Sequence, residues 1–399
     1  MQAILSKIKY MVGNIEILKN IQYAPVLRIF SDEAISFLSA LSKELFNDVR
    51  TKSYPDVMSY AYWIRHSSIE KAKVKYSDSL LRIGRGVSFH ITPSNVPVNF
   101  AVSMTSALLA GNAIVIRVSN KEFEQVDIIC DAINKLLDEK FESMKSYFCF
   151  IRYDYDEEIT QWLSSICDLR IVWGGNNTIE TMRKFPLLHR AIEMTFADRY
   201  SLSIIDSDEY LKGNTYKIAE GFYTDTYYTD QNACSSPRIV VWTGNSIEKA
   251  RDLFWNNLYL LVDKDYNLKP IQSIDKYLAF CKLALKYDNI SKISDNNLIV
   301  RVQLESLQSD FMQYKESSGY FFEYIVKNNL EEIVPILTKQ CQTVSVYGIN
   351  KKIMTDIVLR HGVKGVDRVV DLGQTMSLDF IWDGYDMIKN MSRIIYIGE

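Results

Sequence analysis

Cys234 is the strongest candidate for a nucleophile in this sequence. It lies in the small, polar segment DQNACSS, residues 230–236, which Pro237 separates from the apolar run RIVVW. A thiolate needs partial exposure and nearby donors that lower its pKa, whereas cysteines among apolar neighbours are inert. We therefore expect a reactive thiol at Cys234, with a structural cysteine as the alternative. The cysteines within helical or strand patterns are expected in the core: Cys130, Cys149, Cys167 and Cys281.

A second group of residues begins at Thr92, where the sequence TPSNVPVNFAVSMTSALLAGNAIVIRVS predicts a loop, an amphipathic helix and a buried strand. Asn95 stands between Pro93 and Pro97, at a predicted strand end, which is where open α/β sheets place their ligands. A fixed amide donor at such a place can stabilise an oxyanion by roughly 3–4 kcal/mol. Asn also commonly makes only turn hydrogen bonds, so a purely structural role is the alternative.

A glycine pair, Gly174-Gly175, follows the apolar run LRIVW and precedes a predicted helix. A backbone without side chains beside a helix N-terminus can accommodate a phosphate group. Many such pairs form ordinary turns, and that interpretation stays open. The GRG at Gly84–Gly86 is not completed to a G-x-G-x-x-G motif.

The composition indicates a globular protein with reduced thiols. The 399 residues are enough for two domains, and 47% apolar with 24% charged residues is ordinary for a soluble protein. A net charge of −3 with dispersed basic residues gives no indication of nucleic-acid binding. The six cysteines form no CxxC pair and the four histidines are scattered, so we expect no disulfide framework and no metal site. The N-terminus does not fit a secretory signal and the longest apolar run is too polar for a membrane span, which favours a cytoplasmic protein.

The order of elements predicts an α/β protein. Residues 1–80 are expected to be mainly helical, and after them strands and helices alternate at the spacing of a parallel sheet with crossover helices. The run MTFADRYSLSIID is expected to form one strand. We predict a cofactor domain over residues 1–212, a catalytic domain over 213–370 and a C-terminal segment, 371–399, that packs back on the cofactor domain.

These segments resemble the aldehyde dehydrogenase superfamily, and most closely its acyl-CoA reductase branch of the bioluminescence LuxC type. The block from TPSNVPVNFA to IVIRVS is similar to the superfamily's proline–Asn loop, helix and cofactor strand. IVWGGNNTI stands in the place of its cofactor turn, and DQNACSSP in the place of its catalytic cysteine loop. The resemblance implies a parallel-sheet cofactor domain and a second α/β domain that carries the nucleophile.

The resemblance also assigns roles to single residues. Cys234 becomes the nucleophile and Asn95 the oxyanion donor. Asn120 stands where NAD-preferring relatives carry a ribose-binding glutamate, and its lack of charge, together with Arg117, favours NADPH. The implied cofactor-binding residues are Ser94, Arg117, Ser119, Asn120, Gly174 and Gly175. Thr195 falls where hydrolytic relatives carry the general-base glutamate, with Glu193 and Asp198 as fallback bases.

The implied function is NADPH-dependent reduction of an acyl-CoA thioester to an aldehyde through an acyl-cysteine. The alternatives are an NAD(P)-dependent aldehyde dehydrogenase and a non-catalytic scaffold for an acyl-activating partner. The expected partners are a second copy of the chain, as a homo-oligomer, and an acyl-activating enzyme or acyl-protein synthetase. The aromatic residues before the nucleophile either line an acyl tunnel or pack in a strand: Phe222, Tyr223, Tyr227 and Tyr228.

Overall fold

The computed structural model describes residues 5–77, 80–288, 290–293 and 296–398. The chain divides into two compact units. The first comprises Met1–Ala197 together with Leu378–Glu399, and the second comprises Asp198–Ser377.

The first unit opens with a strand and four helices and continues as alternating strands and helices. In chain order its elements are β1 (Lys9–Val12), α1 (Ile15–Asn20), α2 (Asp32–Asn47), α3 (Pro55–Trp63), α4 (His66–Lys75), β2 (Leu81–Gly84), β3 (Val87–Ile91), α5 (Asn99–Leu109), β4 (Ala113–Arg117), α6 (Glu124–Glu139), β5 (Phe148–Arg152), α7 (Glu157–Ile166), β6 (Leu169–Trp173), α8 (Asn176–Arg183) and β7 (Ile192–Phe196).

The sheet of the first unit has the strand order β1-β5-β4-β3-β6-β7, and β1 is its antiparallel strand. The five parallel strands, numbered along the chain, therefore stand in the order 3-2-1-4-5. This is the doubly wound order that binds ligands at the carboxyl ends of the strands where the winding reverses. Here the reversal lies between β3 and β6. Every residue of these two strands is buried, which is typical of strands in a parallel sheet that is covered on both faces.

The second unit is also built on a parallel sheet. Its elements are β8 (Tyr200–Asp206), α9 (Ser207–Lys212), α10 (Thr215–Thr226), β9 (Pro237–Thr243), α11 (Ile247–Asp265), α12 (Pro270–Ala284), β10 (Ile290–Lys292), β11 (Val300–Leu304), β12 (Tyr320–Ile325), β13 (Cys341–Tyr347), α13 (Lys351–His361) and β14 (Arg368–Asp371). The strand order is β10-β11-β12-β9-β8-β13-β14, with β10 antiparallel to β11. Separate apolar clusters cover the two faces of this sheet.

The last part of the chain returns to the first unit. It forms β15 (Ile381–Trp382), β16 (Tyr385–Asp386), α14 (Met387–Met391) and β17 (Ser392–Ile395). Strand β17 pairs antiparallel with β2. Two side chains hold this C-terminal segment by donating hydrogen bonds to its backbone carbonyl groups. Arg85 Nε donates to Asn390 O (3.0 Å), and Asn112 Nδ2 donates to Met391 O (3.0 Å).

The run expected as one strand forms two strands in different sheets. Strand β7 pairs with β6 in the first unit, and β8 pairs with β9 and β13 in the second. The compact units divide between them, at Ala197 and Asp198, whereas we placed the domain boundary after residue 212. The sequence shows no break there because both strands are apolar and only the short polar stretch Asp198–Arg199 separates them.

Candidate active site

The loop that carries Cys234 holds two residues in an unfavourable backbone conformation. It runs from the end of α10 to β9, at the amino edge of the second unit's parallel strands. Asp230 (φ 53°) and Gln231 (φ 58°) both adopt the left-handed conformation. Residues other than glycine pay about 1–2 kcal/mol each for this conformation, so tertiary contacts must hold the loop.

The side chain of Gln231 supplies most of these contacts. It is fully buried. Its Nε2 donates to Pro237 O (2.9 Å) and Tyr320 O (3.1 Å), and its Oε1 accepts from the backbone N–H groups of Gly319 (3.0 Å) and Tyr320 (3.1 Å). One amide thus joins the cysteine loop to the first residues of β9 and β12. Tyr266 OH adds a bond to Asp230 Oδ1 (2.6 Å).

Cys234 itself is partly exposed, and Ser201 Oγ donates to its carbonyl oxygen at 2.7 Å. All six cysteines are free thiols. Burial raises the thiol pKa values of the four fully buried ones, Cys130, Cys149, Cys167 and Cys341, which makes them poor nucleophiles. Cys281 was expected in the core but is partly exposed, because it lies on the outward side of α12. Cys234 and Cys281 are therefore the two accessible thiols.

Two cationic side chains, Arg238 and Lys315, lie close enough to Cys234 to interact electrostatically with it. Burial lowers the pKa of Arg238 to about 10, and the negative charge of Cys234 opposes this shift. Burial also lowers the pKa of Lys315, with Arg238 adding to the decrease, while Cys234 and Asp198 act in the opposite direction. Positive charges beside a thiol favour the thiolate.

Hydrogen bonds fix both cations beside the loop. Arg238 donates to the carbonyl oxygens of Glu316 and Gln231, and Lys315 Nζ donates to Arg199 O at 3.4 Å. Sequence reasoning did not find either residue. A signal for Arg238 does exist, since a charged side chain there begins an otherwise apolar, buried strand. Lys315 lies far from Cys234 in sequence and gave no local signal.

The predicted cofactor residues lie at one edge of the first unit's sheet. Ser94 and Asn95 follow β3 and are exposed, Arg117 ends β4, and Gly174 follows β6. Because β4, β3 and β6 are parallel neighbours, their carboxyl ends meet at this edge. The structure therefore brings these residues to the topological switch point, with Ser119 and Asn120 directly after β4 and Gly175 directly before α8.

This edge is suited to an anionic dinucleotide. Gly175 is the N-cap of α8 and its position provides no side-chain cap, which leaves that helix end open to a phosphate group. At Gly174 a Cβ atom would come within 3.0 Å of Thr178, so a side chain would crowd the turn. Arg117 Nε is buried without a hydrogen-bond partner among the described residues. These features fit a nicotinamide dinucleotide, held by Arg117 and the turn at Gly174-Gly175.

A carboxylate that sequence reasoning missed stands beside Asn120. Asp154, which follows β5, accepts a hydrogen bond from Asn120 Nδ2 at 2.9 Å. Arg117 lies on the same side, with its guanidinium 4.8 Å from the centre of the Tyr153 ring. Asn120, which stands where NAD-preferring relatives carry a ribose-binding glutamate, thus has an acidic neighbour. That neighbour, Asp154, follows β5, which is the strand next to β4 in the sheet.

A buried polar network connects strand β3, helix α5 and the last residue of β6. His90 Nδ1 lies 2.7 Å from Ser103 Oγ, and Trp173 Nε1 donates to the same oxygen at 3.0 Å. Burial lowers the pKa of His90 to about 3, so the imidazole is neutral at physiological pH. Trp173 in turn stacks on Phe196, with ring centres 3.6 Å apart. The network makes the positions of α5 and of the glycine turn depend on one another.

The three candidate bases differ in their surroundings. Thr195 lies in β7, in register with Val172 of β6. Glu193 forms ion pairs with Arg170 (2.5 Å) and Arg183 (2.8 Å), so its carboxylate is occupied. Asp198 is exposed, begins the second unit and opposes the decrease in the pKa of Lys315 that burial causes. Of the two fallback bases, Asp198 is the one near the charges around Cys234.

The aromatic residues before the nucleophile lie on α10 and the 3₁₀ turn after it, not in a strand. Phe222 and Tyr227 are buried, and both pack against Phe321 in the core of the second unit. Tyr223 stacks on Tyr227, whereas Tyr228 is exposed. Interior packing accounts for Phe222 and Tyr227.

The architecture is that of the aldehyde dehydrogenases. Lactaldehyde dehydrogenase from Escherichia coli superimposes with a TM-score of 0.65 over 96% of this chain and 89% of its own, at 12% sequence identity. Aldehyde dehydrogenase 21 from Physcomitrella patens gives a TM-score of 0.65 over 91% and 85% of the two chains, at 11% identity. Identities this low show the fold alone.

The chain belongs to the acyl-CoA reductase (LuxC) family, whose sequence model matches residues 65–394. This confirms the resemblance seen in the sequence. The chain is 26% identical over 298 residues to the long-chain acyl-protein thioester reductase of Aliivibrio fischeri, which covers 72% of this chain and 58% of the relative. It is 24% identical over 324 residues to long-chain acyl-protein thioester reductase 2 of Photobacterium leiognathi, covering 78% and 63%. The chain thus spans about three-fifths of the length of these relatives. Among the described residues, no helix is both long and apolar enough to cross a membrane.

Proposed function

We propose that this chain reduces an acyl thioester to an aldehyde through an acyl-cysteine intermediate at Cys234. The observation that carries the proposal is the setting of Cys234 in a member of this family: it is a partly exposed thiol, in a strained loop, with two cations nearby. The other partly exposed cysteine, Cys281, lies on the outward side of α12, beside the Tyr277 hydroxyl.

The reaction has two steps, and the first needs only the thioester. The Cys234 thiolate attacks the carbonyl carbon, a new carbon–sulfur bond forms, and the bond to the donor sulfur breaks to release the donor as a thiolate, which takes a proton from water. Arg238 and Lys315 stabilise the thiolate before the attack. We assign to Asn95, on the strength of its motif, donation of a hydrogen bond to the oxyanion that develops.

In the second step a bound reduced nicotinamide dinucleotide would supply a hydride to the acyl carbon. The oxyanion then collapses, the bond to sulfur breaks, and aldehyde and Cys234 thiolate are released. Two electrons reduce the acyl group, and the thiolate is unchanged at the end. Asn95→Ala should lower the turnover number by about 10²-fold or more and leave cofactor affinity unchanged, because it acts on charge that is absent from the ground state.

We propose NADPH as the cofactor, because Arg117 has an unused donor and Asn120 carries no charge. Asp154 opposes this preference, since its carboxylate beside Asn120 would repel a 2′-phosphate. Arg117→Glu should weaken NADPH binding much more than NADH binding. An equal loss for the two cofactors would remove Arg117 from the phosphate site.

The absence of a glutamate at Thr195 supports reduction over hydrolysis. Without a base that activates water, the acyl-enzyme should persist until hydride or a thiol discharges it. When NADPH is withheld, a labelled acyl thioester should give trapped acyl-enzyme and little free acid, and Thr195→Glu should increase acid release. Rapid acid formation by the wild type would favour the aldehyde dehydrogenase alternative, with Asp198 as the base.

The deciding experiment compares the two accessible thiols. Cys234→Ala should abolish both covalent labelling by an acyl thioester and aldehyde formation, while the matched variant Cys281→Ala keeps both. Acyl-CoA and acyl-protein donors are tested side by side, because the relatives are named for acyl-protein thioesters. Labelling that survives in Cys234→Ala would refute the nucleophile. A wild type that labels with neither donor would favour the scaffold alternative.

A further inference from the structure

Asp225 of α10 is a fully buried carboxylate to which the proposed reaction gives no role. Its Oδ2 accepts a hydrogen bond from the backbone N–H of Gly373 (2.7 Å), and its Oδ1 accepts one from the backbone N–H of Thr375 (2.9 Å). Each carboxylate oxygen thus holds one amide of the chain that follows β14. We call residues 372–377 the clamped segment.

Two further contacts hold the clamped segment beside α10. Gly221, one helical turn before the carboxylate, lies so near Gly373 that a Cβ atom on Gly221 would come within 3.2 Å of the Gly373 Cα. Gly373 has a φ of 87°, which favours glycine. From β14, the guanidinium of Arg368 donates to Thr375 O and to Ser377 O, both at 3.1 Å. The backbone of the segment is therefore fixed from a helix and from a strand of the same unit.

The clamped segment contacts the cysteine loop through Met376. Ser235, which directly follows Cys234, is buried, and its Oγ donates to the Met376 Sδ at 3.4 Å. Ser201 of β8 donates to the Cys234 carbonyl oxygen at 2.7 Å. The nucleophile and the residue after it are thus fastened to two different elements, and one of these is the clamped segment.

The location of Asp225 is unfavourable for the stability of the fold. Burial raises the pKa of Asp225 to about 6, and its hydrogen bonds together with the positive charge of Arg368 oppose this rise only in part. The residue also lies in the last turn of α10, where the helix dipole disfavours a negative charge. Because the pKa in the folded state is above the unfolded value, the charged carboxylate destabilises the fold at neutral pH. This cost disappears as the pH falls from about 6 to about 4.

We propose that Asp225 is a positioning residue for acyl transfer, which holds the clamped segment so that Met376 fixes the peptide of the nucleophile. The inference rests on the proposed function, because it concerns the acylation of Cys234. Only the ionised carboxylate offers an acceptor to both amides, since a protonated carboxyl or an asparagine amide turns one of the two acceptors into a donor. One N–H then loses its partner, the segment shifts, and Ser235 loses its contact.

Asp225→Asn in the full chain tests the proposal at about pH 7.5. Acylation of Cys234, by the labelled thioester that acylates the wild type, should slow at least about tenfold, whereas iodoacetamide alkylation should change less than about threefold. The melting temperature should not fall substantially, because the substitution also removes the buried charge. In hydrogen exchange followed by mass spectrometry, peptides covering residues 230–236 and 372–377 should exchange faster than in the wild type.

Asp206→Asn is the matched control. Asp206 also accepts two backbone N–H groups, from Asp208 (3.0 Å) and Glu209 (2.9 Å), but both bonds go to Oδ1, which asparagine keeps. This variant should leave acylation and the exchange of residues 230–236 unchanged.

The pH dependence provides a readout that a merely structural role would not change. Acylation and alkylation both need the thiolate, so their ratio cancels its titration. In the wild type this ratio should fall below about pH 6, and in Asp225→Asn it should be low and flat. A flat wild-type ratio, or an Asp225→Asn variant that acylates and exchanges like the wild type, would overturn the inference. A wild type that is not acylated would refute the proposed function, while faster exchange of residues 230–236 in Asp225→Asn would still support the coupling of Asp225 to the cysteine loop.

Discussion

Replacing Gln231 by leucine should distinguish the effect of the position of the Cys234 thiol from the effect of its intrinsic reactivity. The substitution keeps the side chain's approximate size and removes its four hydrogen bonds. At a net value of roughly 0.5–1.5 kcal/mol each, these bonds contribute about 2–6 kcal/mol. The two left-handed residues cost about 2–4 kcal/mol together. The contribution of the hydrogen bonds and the cost of the left-handed backbone are similar in size. Without the Gln231 amide, the remaining contacts therefore do not hold the loop in this conformation.

We therefore expect the loop to relax and the second unit to remain folded. The unfolding free energy should fall by only about 1–2 kcal/mol, because relaxation recovers most of the left-handed strain and brings the freed backbone groups to water. Acyl transfer to Cys234 should slow by about 10²-fold, since a displacement of even 1 Å at a reacting atom has that effect. Alkylation by iodoacetamide, which needs no fixed orientation, should change far less.

The measurements are urea unfolding, the rate of acyl-enzyme formation from a labelled thioester, and the rate of iodoacetamide labelling. Gln303→Leu is the matched control, because Gln303 also accepts a hydrogen bond, from Arg251 of α11 (2.8 Å), and belongs to β11 and not to the cysteine loop. It should lower stability and leave acyl transfer unchanged. If Gln231→Leu unfolds at the wild-type midpoint and is acylated at the wild-type rate, the argument from strain and hydrogen bonding is wrong.

Three further predictions test charges at both sites and in the core. Lys315→Met should move the pH profile of Cys234 alkylation to higher pH and slow labelling at pH 7 by about three- to tenfold, with Lys315→Arg restoring it; unchanged profiles would remove Lys315 from the site. Asp154→Asn should increase the preference for NADPH over NADH, measured as the ratio of their dissociation constants, and an unchanged ratio would show that the carboxylate does not reach the ribose. Glu323→Gln should cost about 3–5 kcal/mol, because this buried carboxylate accepts from two tryptophans and pairs with the buried Arg251 and the largely buried Arg301; the exposed Glu248→Gln should cost less than about 1 kcal/mol by the same unfolding measurement.

The sequence predicted the parts of the fold whose signals are local. Apolar runs such as AIVIR and LRIVW became the buried strands β4 and β6, and the helices between them lie where the periodicity placed them. The switch point followed from the same signals, because polar loops and a glycine pair interrupt apolar strands at their carboxyl ends. The break between β7 and β8 was missed because two apolar strands separated by a short polar stretch have the same pattern as one strand with a polar interruption.

The missed functional residues share a different cause, which is distance along the chain. Lys315 approaches the cysteine loop from the segment before β12, and Asp154 reaches Asn120 from the end of the neighbouring strand. The local sequence pattern predicts neither contact, because each depends on which strands lie next to one another in the folded sheet. Helix α12 shows the opposite case. The spacing of its apolar residues predicted a helix. Only the structure shows that two faces of this helix are apolar and which of the two is exposed.

The division of the site residues between the two units makes the proposed half-reactions separable. Cys234, Arg238 and Lys315 are held by hydrogen bonds within the second unit, and the residues assigned to the cofactor are held within the first. Substitutions such as Lys315→Met should therefore slow acylation and leave cofactor binding intact, while Arg117→Glu should impair the reductive step and leave acylation by the thioester intact. Single-turnover acylation without cofactor, followed by addition of NADPH, measures the two steps in order. A first-unit variant that fails to form the acyl-enzyme would show that the cofactor edge also shapes the thiol's reactivity, and the separation argued from these contacts would fail.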